Sequence, residues 1–431
     1  MQSTGVWNRR GFLGGLGALI GATFRGTKAW GLPPAGRNPG VGGNVTGLGA
    51  TGSVYDELGV TTLINGQGTE TVLGGSLIPP EVEAVMAQAA RHFVGLVELE
   101  KAVGKRISQM LKLPDGYGAM VTSGAAAAMQ SGYAGILTGS NPDFIKQIPD
   151  LTGMKSEVII QKAHRYAFDH AIRTTGVKLV EVETRDDLHN AINPRTAALH
   201  FTNYLNDSGQ IKVDEFVKLA KQANLPCLND AAADTPPVSR LWDYANMGYD
   251  LVAFSGGKAI RGPQCAGLLL GRQELVDNAL LNTNPYEDAL GRTCKVGKEE
   301  IVGMLKALEL YLAQDHTALT KEWWRRLQAV SQSVSRIPGV KVTRFVPDVA
   351  NHVPYIQIAL DPAKFSLTAV QFIEVLRKGT PSIVLDTGLP GGVISIPIPS
   401  NSIVMNSFML QPGEAEIVAQ SLSKVLRSHS A

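Results

Sequence analysis

From Tyr55 onward, short apolar runs alternate with stretches whose apolar residues recur at helical spacing. Runs at 118–122, 157–161, 178–183, 197–202, 226–229, 251–255 and 266–270 each fit a buried strand, being short, continuous and bounded by turn residues. Helical pattern fills the gaps between all but the last two. That alternation is what parallel strands with crossover helices require, so it predicts an α/β fold whose sheet is mostly parallel and covered on both faces. The last two runs lie too close for a crossover and are expected to pair antiparallel. Pro80 suits a first helical position and opens a helix predicted over 79–111.

The pattern changes character near Gly291. Spacing predicts a long helix over 298–315, continued through 316–337. Strands at 340–345, 353–360 and 393–398 follow, with helices at 366–378 and 413–428. This divides the chain into a large domain over 55–290 and a smaller C-terminal α/β domain over 291–431.

Residues 1–54 follow neither pattern. Asn8-Arg9-Arg10-Gly11-Phe12-Leu13 is followed by a glycine-rich apolar segment at 12–24 and then by Arg25 and Lys28. A membrane-spanning helix needs about 20 predominantly apolar residues, which this segment does not supply. The order basic, apolar, small is that of a twin-arginine export signal over 1–30, and it predicts a periplasmic or otherwise extracytoplasmic protein. Residues 31–54, dense in Gly and Pro, read as a flexible linker. No other stretch is apolar for long enough to suggest a membrane span in the mature protein.

Composition narrows the function class. A 431-residue chain with 44% hydrophobic and 18% charged residues has material for a large core and is not disordered overall. Its net charge is +2, with no basic stripe interleaved with aromatics, so nucleic acid is not an expected partner. Losing residues 1–30 removes Arg9, Arg10, Arg25 and Lys28 and no acid, which turns the balance slightly negative. Cys227, Cys265 and Cys294 match no zinc-site spacing, and no metal is expected.

Residues 251–271 read LVAFSGGKAIRGPQCAGLLLG and place Lys258 between two apolar runs. Burying a lysine there is costly unless its amine is needed neutral, as the partner of a carbonyl in a Schiff base. A surface lysine in a strand–turn–strand hairpin is the alternative. Asp230 ends the run 225–229, at the carboxyl edge where open α/β sheets bind ligands. One strand–helix–strand unit separates it from Lys258. A carboxylate there can keep a pyridine nitrogen protonated, and it equally fits a turn or helix cap. Ser123-Gly124-Ala125 leaves a strand and opens an alanine-rich helix, where free N–H groups and the helix dipole favour a phosphate. Ser255 offers a second hydroxyl. His164, beyond another strand end, could stack on a pyridine ring or be a polar loop residue. Asn203 could bond the ring's phenolic oxygen.

In the order Ser123-Gly124, His164, Asn203, Asp230, Ser255-Gly256-Gly257-Lys258 and Gly262-Pro263-Gln264, the chain resembles fold-type I pyridoxal 5'-phosphate (PLP) enzymes. Within them it is most similar to the selenocysteine-synthase-like branch and its D-glucosaminate-6-phosphate ammonia-lyase-like group. Leu63-Ile64-Asn65-Gly66, Leu73-Gly74-Gly75-Ser76, Gly291-Arg292 and Lys295-Val296-Gly297-Lys298-Glu299-Glu300 share that resemblance. It implies PLP carried by Lys258 as an internal aldimine, with Lys258 as general base and Asp230 sustaining the electron sink. It also implies a homodimer or higher homo-oligomer, with the site near the subunit boundary. A small amino substrate would meet Gly75, Ser76 and Arg292, with Arg261 and Lys295 as other candidates for a carboxylate clamp. The expected reaction is α,β-elimination from an amino acid or amino-sugar acid, releasing ammonia. Transamination and racemisation share its first proton abstraction and stay open. A non-catalytic exported binding protein on the same fold would need to keep neither Lys258 nor Asp230. A tRNA-binding N-terminal domain, as in true selenocysteine synthases, is not expected, which argues against a tRNA substrate.

Overall fold

The computed structural model describes residues 53–387 and 398–430. Its strands are β1 (Leu63–Asn65), β2 (Tyr117–Thr122), β3 (Glu157–Gln161), β4 (Lys178–Val182), β5 (Thr196–Thr202), β6 (Cys227–Asp230), β7 (Leu251–Ser255), β8 (Gly267–Arg272), β9 (Val340–Phe345), β10 (Tyr355–Leu360), β11 (Ser382–Val384) and β12 (Ser402–Asn406). Seven of them form the central sheet in the order β2-β8-β7-β6-β5-β3-β4. β8 runs antiparallel to both its neighbours, and the other pairings between β7 and β4 are parallel. The carboxyl ends of β2, β7, β6, β5, β3 and β4 therefore share one edge. Every residue of β3 and β5 is buried, as strands covered on both faces must be.

The helix Gly124–Thr138 covers one face, beside β7 and β8. The helices Pro80–Ala89, Leu96–Leu111 and Lys298–Ala313 cover the other. Ile301, Met304, Ala307, Leu308 and Tyr311 share a core there with Val121, Leu268 and Leu270. Beyond this layer, β9, β10 and β12 form a three-stranded antiparallel sheet, and β1 pairs in parallel with β11. The helices His316–Val334, Ala369–Arg377 and Glu414–Ser428 bury their apolar faces in this second core.

Several elements differ from the sequence reading. The helix expected over 79–111 is two helices, because the chain leaves the first at Ala90 and Gly95 caps the second. The long helical run after Gly291 is also broken: the Asp315 carboxylate accepts from Ala318 N–H (2.9 Å) and starts a new helix. Two elements cross the expected domain boundary at 290/291. Helix Lys298–Ala313 packs into the core of the large sheet, whereas β1 joins β11 near the C-terminus. The residues 61–431 form one compact unit, and the short helix Val54–Glu57 belongs to a separate one. The export signal, most of the linker and all but Ile398 of the strand expected at 393–398 lie outside the described residues. Among the described residues no helix is long and apolar enough to cross a membrane.

Candidate active site

Asp230 and Lys258 leave neighbouring strands. Asp230 pairs in register with Ala253 of β7. The turn after it is stitched to β7, with Ala231 N–H donating to Ala253 O (3.0 Å) and Ser255 N–H to Ala232 O (3.3 Å). Lys258 follows Ser255 in a loop folded tightly on itself. Gly256 N–H donates to Ala266 O (2.8 Å), Gly262 N–H to Gly256 O (2.8 Å) and Arg261 N–H to Lys258 O (2.9 Å). Backbone proximity favours the glycines: a Cβ at Gly256 would stand 2.8 Å from Ala266 O, and one at Gly257 2.9 Å from Gln264 Cα. The small residues thus hold the lysine against the sheet edge.

Burial lowers the Lys258 amine below its ordinary range, and the charges of Asp230, Asp234 and Glu70 oppose that shift. Burial raises the Asp230 carboxyl, opposed by the Tyr166 hydroxyl, by Ala232 N–H (3.0 Å to Oδ1) and by Lys258. The crevice therefore holds an amine biased towards neutrality beside a buried carboxyl, the pair that Schiff-base chemistry uses.

The phosphate-type cradle sits at the end of β2. Gly124 adopts φ +82°, a left-handed conformation that suits glycine, at the start of the helix Gly124–Thr138. Ser123, the N-cap, makes no side-chain capping bond, so its hydroxyl is unspent on the helix. Ser123, Gly124 and Ala125 are partly open to solvent. Beneath them, a Cβ on Gly267 would lie 2.6 Å from the Gly124 carbonyl carbon. The missing side chain lets the helix start approach the sheet. This donor set and the bare backbone fit a phosphate group.

Two of the expected roles do not match the positions found. His164 is wholly buried, not set over the crevice. Its Nδ1 accepts from Thr202 N–H (3.3 Å), Gln161 lies against Nε2 (3.2 Å), and the ring meets Phe201 edge-on at 4.6 Å between centroids. The ring lies inside the core with no solvent-exposed surface, and burial drives its pKa down to about 4. Asn203 is buried too. Its Nδ2 donates to Asp234 Oδ2 (2.6 Å) and to the Tyr244 hydroxyl (2.6 Å), so both hydrogens are spent inside the protein. A donor must face the carboxylate, which fixes the amide orientation and turns Oδ1 away from Asp234.

Tyr166, Asp234, Tyr244 and Glu70 were not singled out from sequence. The Tyr166 hydroxyl bonds Asp230 Oδ2, and its ring stacks on His200 (6.3 Å between centroids, 15°). Tyr166 lies two residues beyond His164, past the same end of β3. Glu70, half-buried, interacts with both Asp386 and Lys258. It stands five residues before Gly75, whose N–H donates to Glu70 O (2.9 Å).

Of the residues expected to meet substrate, Gly75 packs where a Cβ would be 1.6 Å from Gln264 Oε1. Ser76 Oγ is buried with no hydrogen-bond partner among the described residues. Arg292 is partly buried and forms no ion pair among the described residues. Arg261 Nε donates to Leu77 O (2.7 Å).

The model of the family SelA, L-seryl-tRNA selenium transferase, matches residues 63–337, which hold the whole constellation from Glu70 to Lys258. The chain belongs to the SelA family of PLP enzymes. Among SelA relatives, D-glucosaminate-6-phosphate ammonia lyase of Salmonella typhimurium is 30% identical over 340 residues, covering 76% of this chain and 88% of that protein. A 5'-C-glycyluridine monooxygenase-decarboxylase of a Streptomyces species is 28% identical over 390 residues, covering 87% and 92%. A solved structure of D-glucosaminate-6-phosphate ammonia-lyase superposes with a TM-score of 0.74 at 26% identity, covering 88% of this chain and 99% of that one. The α/β architecture with its mostly parallel sheet is thus the fold-type I architecture, and this SelA member is an enzyme of the lyase and transferase kind.

Proposed function

We propose that this SelA-family enzyme is a PLP-dependent lyase that removes ammonia from an amino acid or amino-sugar acid by α,β-elimination. The observation that carries the reading is the pairing of Asp230 with Lys258 on adjacent strand ends, the amine biased towards neutrality. When bound, PLP supplies an electron sink that acidifies the substrate's α-hydrogen. Ser123, Gly124 and Ala125 would hold its phosphate, Asp230 its ring nitrogen, and Lys258 its aldehyde carbon, with Ser255 close by. Once released, the neutral Lys258 amine takes the α-proton at Nζ. The Tyr166 hydroxyl bond orients the Asp230 carboxylate and favours its ionised form against the effect of burial.

The ammonia-lyase relatives support elimination over amino transfer. Incubation with D-glucosaminate or its 6-phosphate, without any amino acceptor, should release ammonia and a keto acid. Ammonia appearing only when a keto acid acceptor is supplied would favour transamination.

The assembly and location belong to the same proposal. Val72, Leu77, Phe93 and Val94 are apolar and exposed around the loops that flank Gly75 and precede the helix Leu96–Leu111. A second copy covering them makes a homodimer, and light scattering of the purified protein should give twice the chain mass. Arg9-Arg10 directs export by the twin-arginine route. Replacing both with Lys should strand the protein in the cytoplasm, and unchanged export would reject that route.

A further inference from the structure

Gln264 ends the run Gly262-Pro263-Gln264 and has no task in the reaction as described. Its side chain lies against two bare backbones. A Cβ built on Gly75 would fall 1.6 Å from Gln264 Oε1 and 2.4 Å from its Cδ, and one built on Gly257 would fall 2.3 Å from the same oxygen. The carboxamide oxygen therefore rests on the Cα of both glycines, which are themselves buried. The glycines belong to different loops. Gly257 immediately precedes Lys258, and Gly75 lies in the loop that its N–H ties to Glu70 O (2.9 Å). One side chain thus joins the loop expected to meet substrate to the loop that carries the lysine.

The rest of the carboxamide is unspent. Gln264 is exposed, and its side chain makes no hydrogen bond among the described residues. Its oxygen suits the Cα–H groups it rests on, whereas the flipped amide would set N–H against C–H. Nε2 is left with two free N–H donors. Lys258 also keeps part of its surface open to solvent. Paired donors beside a reactive amine match an anionic oxygen. Any amino acid supplies one there, because its carboxylate hangs from the same carbon as its amine. Packing against the two glycines already restricts the Gln264 side chain, so little rotamer freedom is left to lose on binding.

We propose that Gln264 binds the carboxylate of the amino substrate, donating to it from Nε2. This rests on the reading above that the substrate is an amino acid or amino-sugar acid, and it holds whichever bond is then broken. A carboxylate fixed at Gln264 brings the α-carbon to Lys258 and orients the α-hydrogen towards Nζ. Gly75 and Gly257 set the place of the carboxamide, so the loop around Gly75 acts on the substrate through Gln264. The cofactor's phosphate offers the same oxygen chemistry, but Ser123, Gly124 and Ala125 already form a cradle for it at the end of β2.

The test compares amines that differ only in the carboxylate. Wild-type, Gln264→Met and Gln264→Glu holoenzymes are titrated with D-glucosaminate and with D-glucosaminitol, which has a hydroxymethyl group in place of the carboxylate. D- or L-serine and serinol make a second such pair. Binding is read from the absorbance of the bound cofactor, not from turnover. Gln264→Met keeps a side chain of the same length between the glycines and removes both donors. It should raise the dissociation constants of the carboxylates by about 10- to 100-fold and leave those of the amino alcohols within about twofold. Gln264→Glu sets an anion against the carboxylate and should bind it at least as weakly. Equilibrium dialysis of the cofactor-free proteins should give the same PLP affinity for wild type and Gln264→Met. Equal losses on both kinds of amine, or no loss on the carboxylates, would overturn the assignment alone. So would a loss of PLP affinity with unchanged discrimination, which would give the donors to the cofactor's phosphate. A PLP-loaded wild type that responds to none of these amines would contradict the amino-substrate reading, and the assignment with it.

Discussion

The hydroxyl of Tyr166 donates a hydrogen bond to Oδ2 of Asp230. A hydrogen bond to an ionised group contributes about 1.5–3 kcal/mol, and here it holds down a carboxyl that burial alone would raise further. Tyr166→Phe removes that opposition, so the Asp230 carboxyl rises and its ionised form is lost at higher pH. The variant should bind PLP about tenfold more weakly near neutral pH, with the lower limit of its binding profile displaced towards alkaline pH. Equilibrium binding of PLP from pH 5 to 9 reads both effects, and superimposable profiles would show that Tyr166 does not govern Asp230.

Gly267 supports the phosphate cradle from beneath. An added Cβ would meet the Gly124 carbonyl carbon at 2.6 Å and Phe254 O at 2.8 Å, both backbone atoms that cannot swing aside. Gly267→Ala should lose about 1–3 kcal/mol of stability, as overpacked cores do. It should also lose part of the stabilisation that added PLP confers, because the helix start is displaced. Urea midpoints with and without PLP separate the two effects. An unchanged difference between them would mean that the cradle does not hold the phosphate.

Glu100 predicts a pH dependence of stability away from the crevice. Its Oε2 accepts from Val121 N–H (3.1 Å), Oε1 has no hydrogen-bond partner among the described residues, and burial pushes the carboxyl up to about 8. The folded chain thus binds this proton more tightly than the unfolded one. The contribution of Glu100 is fully present below the ordinary glutamate value and is lost as pH rises from about 4.5 to about 8. Glu100→Gln keeps an acceptor for Val121 and removes the ionisation. It should be more stable than wild type by about 1–3 kcal/mol at pH 8, with the gap closing towards pH 5. Denaturation at the two pH values checks the sign, and a constant gap would contradict it.

The strands that carry the crevice were legible because each is a continuous apolar run ended by turn residues. That placed Ser123, Asn203, Asp230 and Lys258 at one sheet edge before any contact was known. Tyr166 and Asp234 were not legible in the same way. Their importance lies in a hydroxyl bond to Asp230 and in a shared bond with Asn203 and Tyr244, and neither bond leaves a spacing in the sequence. His164 sits where a stacking residue was expected, but the Thr202 N–H and Phe201 hold its ring inside the core. The pairing of β1 with β11 joins segments more than three hundred residues apart, so neither three-residue strand carried a readable pattern of its own.

The central claim is that Lys258 carries the cofactor. Purified protein is loaded with PLP, reduced with borohydride and digested, and the modified peptide is identified by mass. The account predicts a phosphopyridoxyl group on Nζ of Lys258, with none incorporated by Lys258→Ala. Incorporation at another lysine, or none in the wild type, would contradict it.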